Sequence, residues 1–452
     1  MKLELSRGAG GTGRFVVLGL LVLAMFIPLA FVDGVTEERQ SYFERTLNDV
    51  ADAWGGEQVL NGPYLVVPET IEIRGTELVD GKQSRVVKRG RRVVLPSSLN
   101  LTVQIDHQMR RRALYEVPVY TAVLRVSGEF PTLDRRSGID SLDRLDLQAA
   151  RVVVGISHTR AIGRVSELTL AGSHFEFESG SGEPWLGNGI HAAAIGYDGS
   201  QPRSFEFELE LKGTRALGLA PIGGESRVDM ASTWPHPSFS GEYLPERYRV
   251  AADGFTAQWA ISDLARNLPD SWLAVAESSP PASMLASVRL FQPVTGYKVV
   301  DRAIKYGVLF IALTFITFVC FELTLGFRFH PVQYGVVGIA LVLFYLTLLS
   351  LSEHLPFGFA YGLATVLLTA MIAWYVQSLS GSRSLMGFTA VIIGALYGVL
   401  YVLLKLETFA LLLGTAVLLL GLFGLMFATR SLTLAVDEGD SGSAGLSVGE
   451  DR

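Results

Sequence analysis

The sequence predicts an α+β membrane protein with an N-terminal signal-anchor helix, a large antiparallel, sandwich-like β domain and a C-terminal bundle of five transmembrane helices. Three observations predict this fold class. An apolar run lies near the N-terminus, a long middle region alternates polar and apolar residues, and five further apolar runs follow. Apolar residues make up 49% of the 452 residues, and the mean hydropathy is +0.34, which favours a membrane protein.

The first apolar run, residues 15–32, contains no charged residue and is just long enough to cross about 30 Å of hydrocarbon. Lys2, Arg7 and Arg14 precede it, and no small-x-small cleavage pattern follows it. We therefore expect an uncleaved transmembrane anchor, with residues 1–14 as a cytoplasmic tail.

The middle region, residues 33–300, has the pattern of a β domain. In "FEFELEL", Phe205, Phe207 and Leu209 alternate with glutamates, as expected of a strand with one wet face. Many such runs, separated by Gly, Pro and Asn, predict a large antiparallel sandwich. Because no stretch here can span a bilayer, the region is expected on one side of the membrane.

Three local features are expected within this domain. The stretch "VVKRGRRVV", residues 86–94, places charges and a glycine between paired valines, which suits a hairpin turn. Its basic residues and the "RRR" at 110–112 are candidates for contact with anionic lipid, or ordinary solvated charges. Short helices are predicted near residues 42–54 and 262–267.

Five apolar runs of about twenty residues occupy the region 301–429. They are Lys305–Leu325, Tyr334–Ser352, Gly358–Ser378, Met386–Leu404 and Thr408–Thr429. Their short connections predict antiparallel neighbours in a compact bundle. The pairs Gly358/Gly362 and Gly394/Gly398 are expected to allow close helix contacts. The Gly-, Ser- and acid-rich tail, 430–452, is predicted to be disordered.

Six spans place both termini on one side of the membrane. Arg328 and Arg383 in short loops share that side with the basic N-terminus, which predicts cytoplasmic termini and a periplasmic region 33–300. This orientation places three basic residues, Lys298, Arg302 and Lys305, on the periplasmic side, against the usual preference. A large domain, however, crosses the membrane largely regardless of its charge. A helix beginning near Tyr297 is expected to couple the β domain rigidly to the bundle, with a flexible hinge at Gly296 as the alternative.

The polar residues of the bundle form the first candidate site. Glu353 and His354 end one apolar run, and they share the predicted periplasmic side with Lys405 and Glu407. Glu322 lies about one turn inside another span and can pair with Arg328. These residues either form a functional polar cluster or only mark where the spans end. Because no row of acids continues through the other spans, a proton or ion path lacks support.

The second candidate site is the loop "STWPHPSFSGEYLP", residues 232–245. Trp234, His236, Phe239 and Tyr243 lie among three prolines and a glycine. Rigid aromatic side chains bury area at low entropy cost, so the loop can be a binding surface. The alternative is a structural loop that caps the sandwich.

Several classes of function are disfavoured by composition. The formal charge of −6 does not indicate a nucleic-acid-binding protein. A single cysteine, Cys320, rules out an intramolecular disulfide or a thiolate metal cluster. The histidines are scattered. We therefore predict no catalytic residue, no metal site and no cofactor.

Several stretches resemble the CreD family of bacterial inner-membrane proteins. They are "GPYLVVP", "RRRALYEVPVYTAVL", "ARVVVGISHTRAI", "STWPHPSFSGEYLP", "VRLFQPVTGYKVVDRAIKYGVLFIALTF" and, most specifically, "HPVQYGVVGIALVLFYLTLLSLSEH". They extend in order from about residue 62 to 404. The resemblance implies a protein linked to cell-envelope integrity and associated with the Cre two-component response. It implies no catalytic reaction.

These observations predict a non-enzymatic inner-membrane protein that supports envelope integrity or the response to envelope stress. Its periplasmic β domain is expected to bind a ligand or an envelope or membrane protein, and its helices to contact the lipid bilayer. One alternative is a membrane enzyme or transporter with a site around Glu353 and His354. A third hypothesis is an assembly scaffold whose glycine faces contact a partner helix.

Overall fold

The computed structural model describes most of the chain. The described residues are 11–79, 82–112, 115–134, 139, 142–266, 268–274, 284–290, 296–325, 329–406 and 410–429. The chain divides into two compact units. The first unit, Met1–Gln40 with Val294–Arg452, is helical, and the second, Ser41–Pro293, is built mainly of strands. The predicted disordered tail, 430–452, and Glu407 lie outside the described residues.

Eight α-helices are described. They are α1 Gly11–Ala24, α2 Phe26–Trp54, α3 Asp263–Arg266, α4 Gly296–Leu325, α5 Pro331–Ser352, α6 Phe357–Ser380, α7 Arg383–Lys405 and α8 Ala410–Thr429. The predicted helix near 262–267 is confirmed as α3. The one predicted near 42–54 is the last part of α2, which begins at Phe26: Pro28 lies in the first turn, where a proline is tolerated, and the helix continues through Gly34.

Eighteen strands are described in the second unit. They are β1 Gln58–Val79, β2 Lys82–Val94, β3 Ser98–Arg112, β4 Tyr115–Phe130, β5 Arg151–Ile156, β6 Ile162–Val165, β7 Leu168–Leu170, β8 Ser173–Phe175, β9 Phe177–Ser179, β10 Gly189–Ala193, β11 Arg203–Thr214, β12 Ala216–Leu219, β13 Glu225–Ser232, β14 Pro237–Gly241, β15 Arg247–Ala251, β16 Gly254–Ser262, β17 Ser271–Ala274 and β18 Ala286–Leu290.

The strands form two nine-stranded sheets. The first sheet has the order β14-β18-β12-β1-β5-β10-β9, with β2 pairing β1 and β17. The second has the order β15-β16-β13-β3-β4-β11-β7-β8, with β6 pairing β11. Most pairs are antiparallel, as the sequence predicted, but β1 with β12 and β3 with β13 are parallel. These two parallel pairs join strands that are far apart in the sequence.

One hydrophobic core contains residues of both sheets, as in a sandwich. Phe205, Phe207 and Leu209 of β11 are buried, and the glutamates between them face outward. Ring contacts join the two sheets: the centroid of Phe177 in β9 lies 5.2 Å from that of Phe207. The period-two pattern in the sequence therefore identified the buried face correctly.

The predicted hairpin at residues 86–94 is wrong. This segment belongs to the single strand β2, which pairs with β1 from Val94 opposite Leu65 to Arg85 opposite Arg74. The charges are accommodated by ion pairs with other strands and loops. Arg92 contacts Glu69 in β1 through two hydrogen bonds of 2.8 and 3.2 Å. Arg91 lies 3.0 Å from the buried carboxylate of Glu183.

The ends of the bundle helices carry capping residues. Helix α5 begins with a capping box, in which the His330 ring accepts from Val332 N–H and the Gln333 side chain accepts from His330 N–H. Gly381 ends α6 with φ +68°, and the Ser382 hydroxyl caps α7. These signals fix the short connections that the sequence predicted.

In the part of the chain that the structure describes, five helical stretches are long and apolar enough to cross a membrane. They are Val16–Trp54, Tyr297–Glu322, Pro331–Ser352, Phe357–Ser380 and Arg383–Lys405. Helix α8 was predicted as a sixth span. It is an apolar helix. Among the described residues, however, its apolar stretch Leu412–Gly424 is too short to count as a candidate span. The helix expected near Tyr297 does begin at Gly296 and runs unbroken to Leu325. Its predicted coupling role stays a prediction.

Of the four predicted glycines, only Gly358 lies at a helix contact, because a Cβ there would lie 3.4 Å from the Tyr401 hydroxyl of α7; the closest helix contacts occur at other glycines. A Cβ on Gly307 would lie 3.2 Å from Leu29 and from the Tyr345 ring, and one on Gly338 would lie 2.7 Å from Met25 Sδ. A Cβ on Gly362, Gly394 or Gly398 would meet no described atom within 4 Å. Helices α1 and α2 therefore pack against α4 and α5 at small residues, where backbones can approach closely.

Candidate functional site

Glu353 lies directly after the last residue of α5, and its carboxylate contacts residues of α4 and α2. The Tyr297 hydroxyl, at the start of α4, donates to Glu353 Oε1 over 3.1 Å. Arg39 Nε in α2 lies 3.9 Å from the same oxygen. The Glu353 side chain is 14% exposed, whereas Arg39 is 53% exposed, so the hydrogen bond to the buried Tyr297 is expected to contribute more than the ion pair.

The other predicted members of this cluster have different surroundings. His354 is exposed in the turn between α5 and α6, and its backbone N–H donates to Leu351. Lys405 ends α7, and its ammonium lies 5.8 Å from the centroid of the Tyr401 ring, which is a cation–π geometry. Because a two-residue turn joins α6 to α7, the two helices run antiparallel. Lys405, at the end of α7, therefore lies at the same end of the bundle as the start of α6.

Glu322 does not join this cluster. Its Oε1 accepts the Phe329 backbone N–H at 2.5 Å, just before α5 begins. Glu353 lies at the opposite end of the same 22-residue helix, so about 33 Å separate the two carboxylates along its axis. The predicted pairing with Arg328 falls on a residue outside those described. Glu322 therefore lies apart from the other candidate residues, near the end of α4 at which the sequence predicted a pairing with Arg328.

The aromatic loop is partly folded into the β unit. Trp234 is 6% exposed, and its indole N–H donates to the His236 carbonyl over 3.0 Å. The His107 ring of β3 meets the indole edge-on at 5.1 Å and hydrogen-bonds to the Thr233 hydroxyl at 2.7 Å. His236 itself is exposed. The indole thus fills space beneath the loop, and the imidazole of His236 faces solvent.

Phe239 and Tyr243 continue this packing. Phe239 lies in β14, and its ring centroid is 5.7 Å from that of Phe255 and 5.9 Å from that of Trp259, both in the opposite sheet. The Tyr243 hydroxyl donates to the Ala265 carbonyl, and its own carbonyl accepts from the Trp259 indole. Partial burial raises the pKa of the Tyr243 phenol, and the carboxylate of Glu242 adds to this shift.

An open groove of about 530 Å³ lies on the solvent face of the second sheet. Strand register builds its floor from two parallel rows of side chains. One row is Arg247, Gln258, Asp229 and Thr102, and the other is Arg249, Thr256, Ala231 and Gln104. Each residue is directly opposite the next on the neighbouring strand. Sequence alternation identified such residues only as solvent-facing.

Little in the sequence indicated which residues contact the candidate site residues. Tyr297 and Arg39 are far from Glu353 in the chain, and although Tyr297 lies in a stretch that resembles the family, nothing in the sequence identified either residue as a partner of Glu353. The groove residues come from four strands spread over residues 102–258. Each strand shows which side chains face solvent, but the strand order that brings them together is a tertiary property.

Comparison with known proteins agrees with this architecture. A family model described as "Inner membrane protein CreD" matches residues 12–434. The chain belongs to the CreD family of inner membrane proteins. It is similar to the inner membrane protein CreD of Escherichia coli (strain K12), with 33% identity over 416 residues that cover 91% of each chain. The resemblance seen in the sequence is therefore confirmed.

Similarity to solved structures is weak. An M1 zinc metallopeptidase from Deinococcus radiodurans has 8% identity and a TM-score of 0.17, with 36% of this chain and 38% of that chain covered. A protein from Parabacteroides distasonis, named as a candidate protease, has 9% identity and a TM-score of 0.23, with 67% and 58% covered. Neither similarity supports an activity for this CreD family member.

Proposed function

We propose that this chain is a non-enzymatic inner membrane protein that maintains the bacterial cell envelope, and that its β unit binds an envelope ligand or partner. Membership in the CreD family and the five candidate membrane spans support the location. The envelope role rests on the family resemblance. Ligand binding is supported by the open groove on the β unit, whose lining combines charged and hydrogen-bonding groups with apolar atoms.

One observation carries the non-enzymatic part of the proposal: both candidate carboxylates bond to neighbouring helix ends. Glu353 binds the Tyr297 hydroxyl, and Glu322 accepts the Phe329 N–H. A reaction centre or ion path requires such acids to converge on one cavity. With about 33 Å between them along α5, Glu322 and Glu353 do not meet this requirement.

The proposal includes an orientation and a cellular context. Residues 33–300 lie in the periplasm, and with α8 as a sixth crossing both termini lie in the cytoplasm; Lys2, Arg7 and Arg14 before the first span support this orientation. The helices contact the lipid bilayer, and the protein is associated with the Cre two-component response, as the resemblance implies.

Complementation of a strain that lacks its own CreD family protein tests the proposal. The wild-type chain is expected to restore the envelope barrier, measured as exclusion of a dye that does not cross an intact envelope. The double variant Glu353→Gln, His354→Ala is compared at matched membrane levels, with Lys405→Gln as a control at the same end of the bundle. Both variants are expected to restore the barrier as well as the wild type.

Two outcomes contradict the proposal. If the wild-type chain, present in the membrane, leaves the barrier defective, an envelope role is excluded. If the double variant folds normally but fails while Lys405→Gln succeeds, Glu353 and His354 act directly and a reaction or transport site is favoured. Normal folding is checked by an unchanged thermal unfolding midpoint of each purified variant.

A further inference from the structure

The groove on the second sheet combines two unpaired cations with neutral hydrogen-bonding groups. Arg247 and Arg249 are both exposed on the edge strand β15, and alternation places them on the same face, about 7 Å apart. Among the described residues, neither guanidinium has an ion-pair partner. Arg125, on the same sheet face, is instead paired with Glu208 at 3.2 Å. The two arginines are therefore available to an external anion.

Apart from Asp229, the rest of the two rows consists of hydroxyl, amide and methyl groups. Thr256, Gln104 and Thr102 offer donors and acceptors, and Ala231 leaves a low point in the row that begins with Arg249. Asp229 is the one carboxylate among the lining residues, and the Gln258 amide donates to it over 2.7 Å. The row containing Arg249 thus carries a cation and no acid.

The direction of the rows argues for the kind of ligand. They cross four strands at about 4.8 Å each, which gives a track of about 14 Å perpendicular to the strands. A peptide that binds a sheet usually pairs with the backbone of an edge strand. On the face of a sheet those backbone groups are already paired, so a ligand there contacts side chains, and its polar contacts fall on hydroxyl, amide, guanidinium and carboxylate groups.

We propose that this groove binds an anionic oligosaccharide. Its carboxylate or phosphate groups pair with Arg247 and Arg249, and its hydroxyl groups bond to Thr256, Gln104 and Thr102. Guanidinium groups match carboxylate and phosphate oxygens in geometry as well as in charge. The inference rests on the proposed function, because it names the ligand class of the β unit.

Calorimetric titration of the full-length protein in detergent tests the inference. The anionic probes are tetragalacturonate and a phosphorylated mannose oligosaccharide. Neutral maltotetraose and a tetraglutamate peptide serve as comparison ligands. Binding of at least one anionic sugar is expected, and it weakens at least about ten-fold in the double variant Arg247→Gln, Arg249→Gln. Ala231→Tyr, which fills the low point of the floor, is expected to weaken it to a similar extent.

Arg125→Gln is the matched control, because it removes a guanidinium from the same sheet face outside the groove. It is expected to bind the sugar like the wild type. The inference is overturned if neither anionic sugar binds, if the double variant binds as tightly as the wild type, or if tetraglutamate binds as tightly as the sugars. Equal thermal unfolding midpoints exclude misfolding as the cause of lost binding.

The binding assay and the complementation assay separate the two proposals. A wild-type chain that restores the envelope barrier but binds neither sugar retains its envelope role and loses this ligand. A chain that binds the sugar through the two arginines but does not restore the barrier retains the ligand site and loses the envelope role.

Discussion

The Tyr297 hydroxyl donates a hydrogen bond of 3.1 Å to the Glu353 carboxylate, and this bond joins the start of α4 to the end of α5. The two residues are 56 positions apart in the sequence. Tyr297 is 8% exposed, so the bond lies largely away from water. Glu353 therefore contributes to holding two helix ends together, with Arg39 as a weaker third partner.

Tyr297→Phe is expected to lower the free energy of unfolding by about 1–3 kcal/mol, because it leaves a largely buried carboxylate with one distant cation. Glu353→Gln is expected to cost less, since an amide can still accept the bond. The measurement is a double-mutant cycle on the purified protein. The cycle uses Glu353→Ala, which removes the acceptor, and a coupling energy near zero between Tyr297→Phe and Glu353→Ala would contradict the contact.

Trp234→Ala is expected to destabilise the β unit by about 3–5 kcal/mol, because it empties a buried indole site and frees the His236 carbonyl. His236→Ala should have little effect, since the ring is exposed and the bonded group is the backbone. Denaturant unfolding followed by tryptophan fluorescence and circular dichroism measures both. Unchanged stability in Trp234→Ala would show that the indole is dispensable for folding and favour a binding role for the loop.

The pair Arg92–Glu69 tests whether residues 82–94 form a strand. The two side chains are 17% and 12% exposed and share two hydrogen bonds, so Arg92→Gln is expected to cost about 1–3 kcal/mol. Arg125→Gln, at an exposed pair, should cost less than about 1 kcal/mol. Equal losses for the two variants would favour the solvated hairpin that the sequence first indicated.

Alkaline pH is expected to destabilise the β unit. Burial raises the pKa of Tyr64, Tyr120 and Tyr197 well above the ordinary value near 10. Above pH 10 the unfolded chain releases these protons while the folded chain keeps them, so stability falls as pH rises. Three phenols together give a slope of up to about 4 kcal/mol per pH unit.

Urea unfolding at a series of pH values from neutral to alkaline measures this slope, with tyrosinate absorbance as a second signal. Tyr64→Phe should reduce the slope by about one third, because it removes one of the three buried phenols. A slope that is the same in the variant and the wild type would contradict the burial of Tyr64.

The sequence by itself determined the order and type of the large elements. An uncharged run of about twenty residues must hide its backbone polar groups in a helix, whatever surrounds it. Alternation such as that of Phe205, Phe207 and Leu209 fixes which face of a strand is buried. The family could also be identified from sequence alone, because its stretches occur in order along most of the chain.

Only the tertiary structure decided what these residues contact. The segment 86–94 looked like a hairpin because nothing local reveals that Glu69 and Glu183 neutralise its arginines. The parallel pairing of β3 with β13 places Thr102 beside Asp229 and so creates the groove. In the bundle, the sequence placed Glu322 and Glu353 in different spans, but only the structure showed that they bind Phe329 N–H and the Tyr297 hydroxyl. Local patterns report burial and periodicity, but partners that are distant in the chain are set by strand order and helix packing.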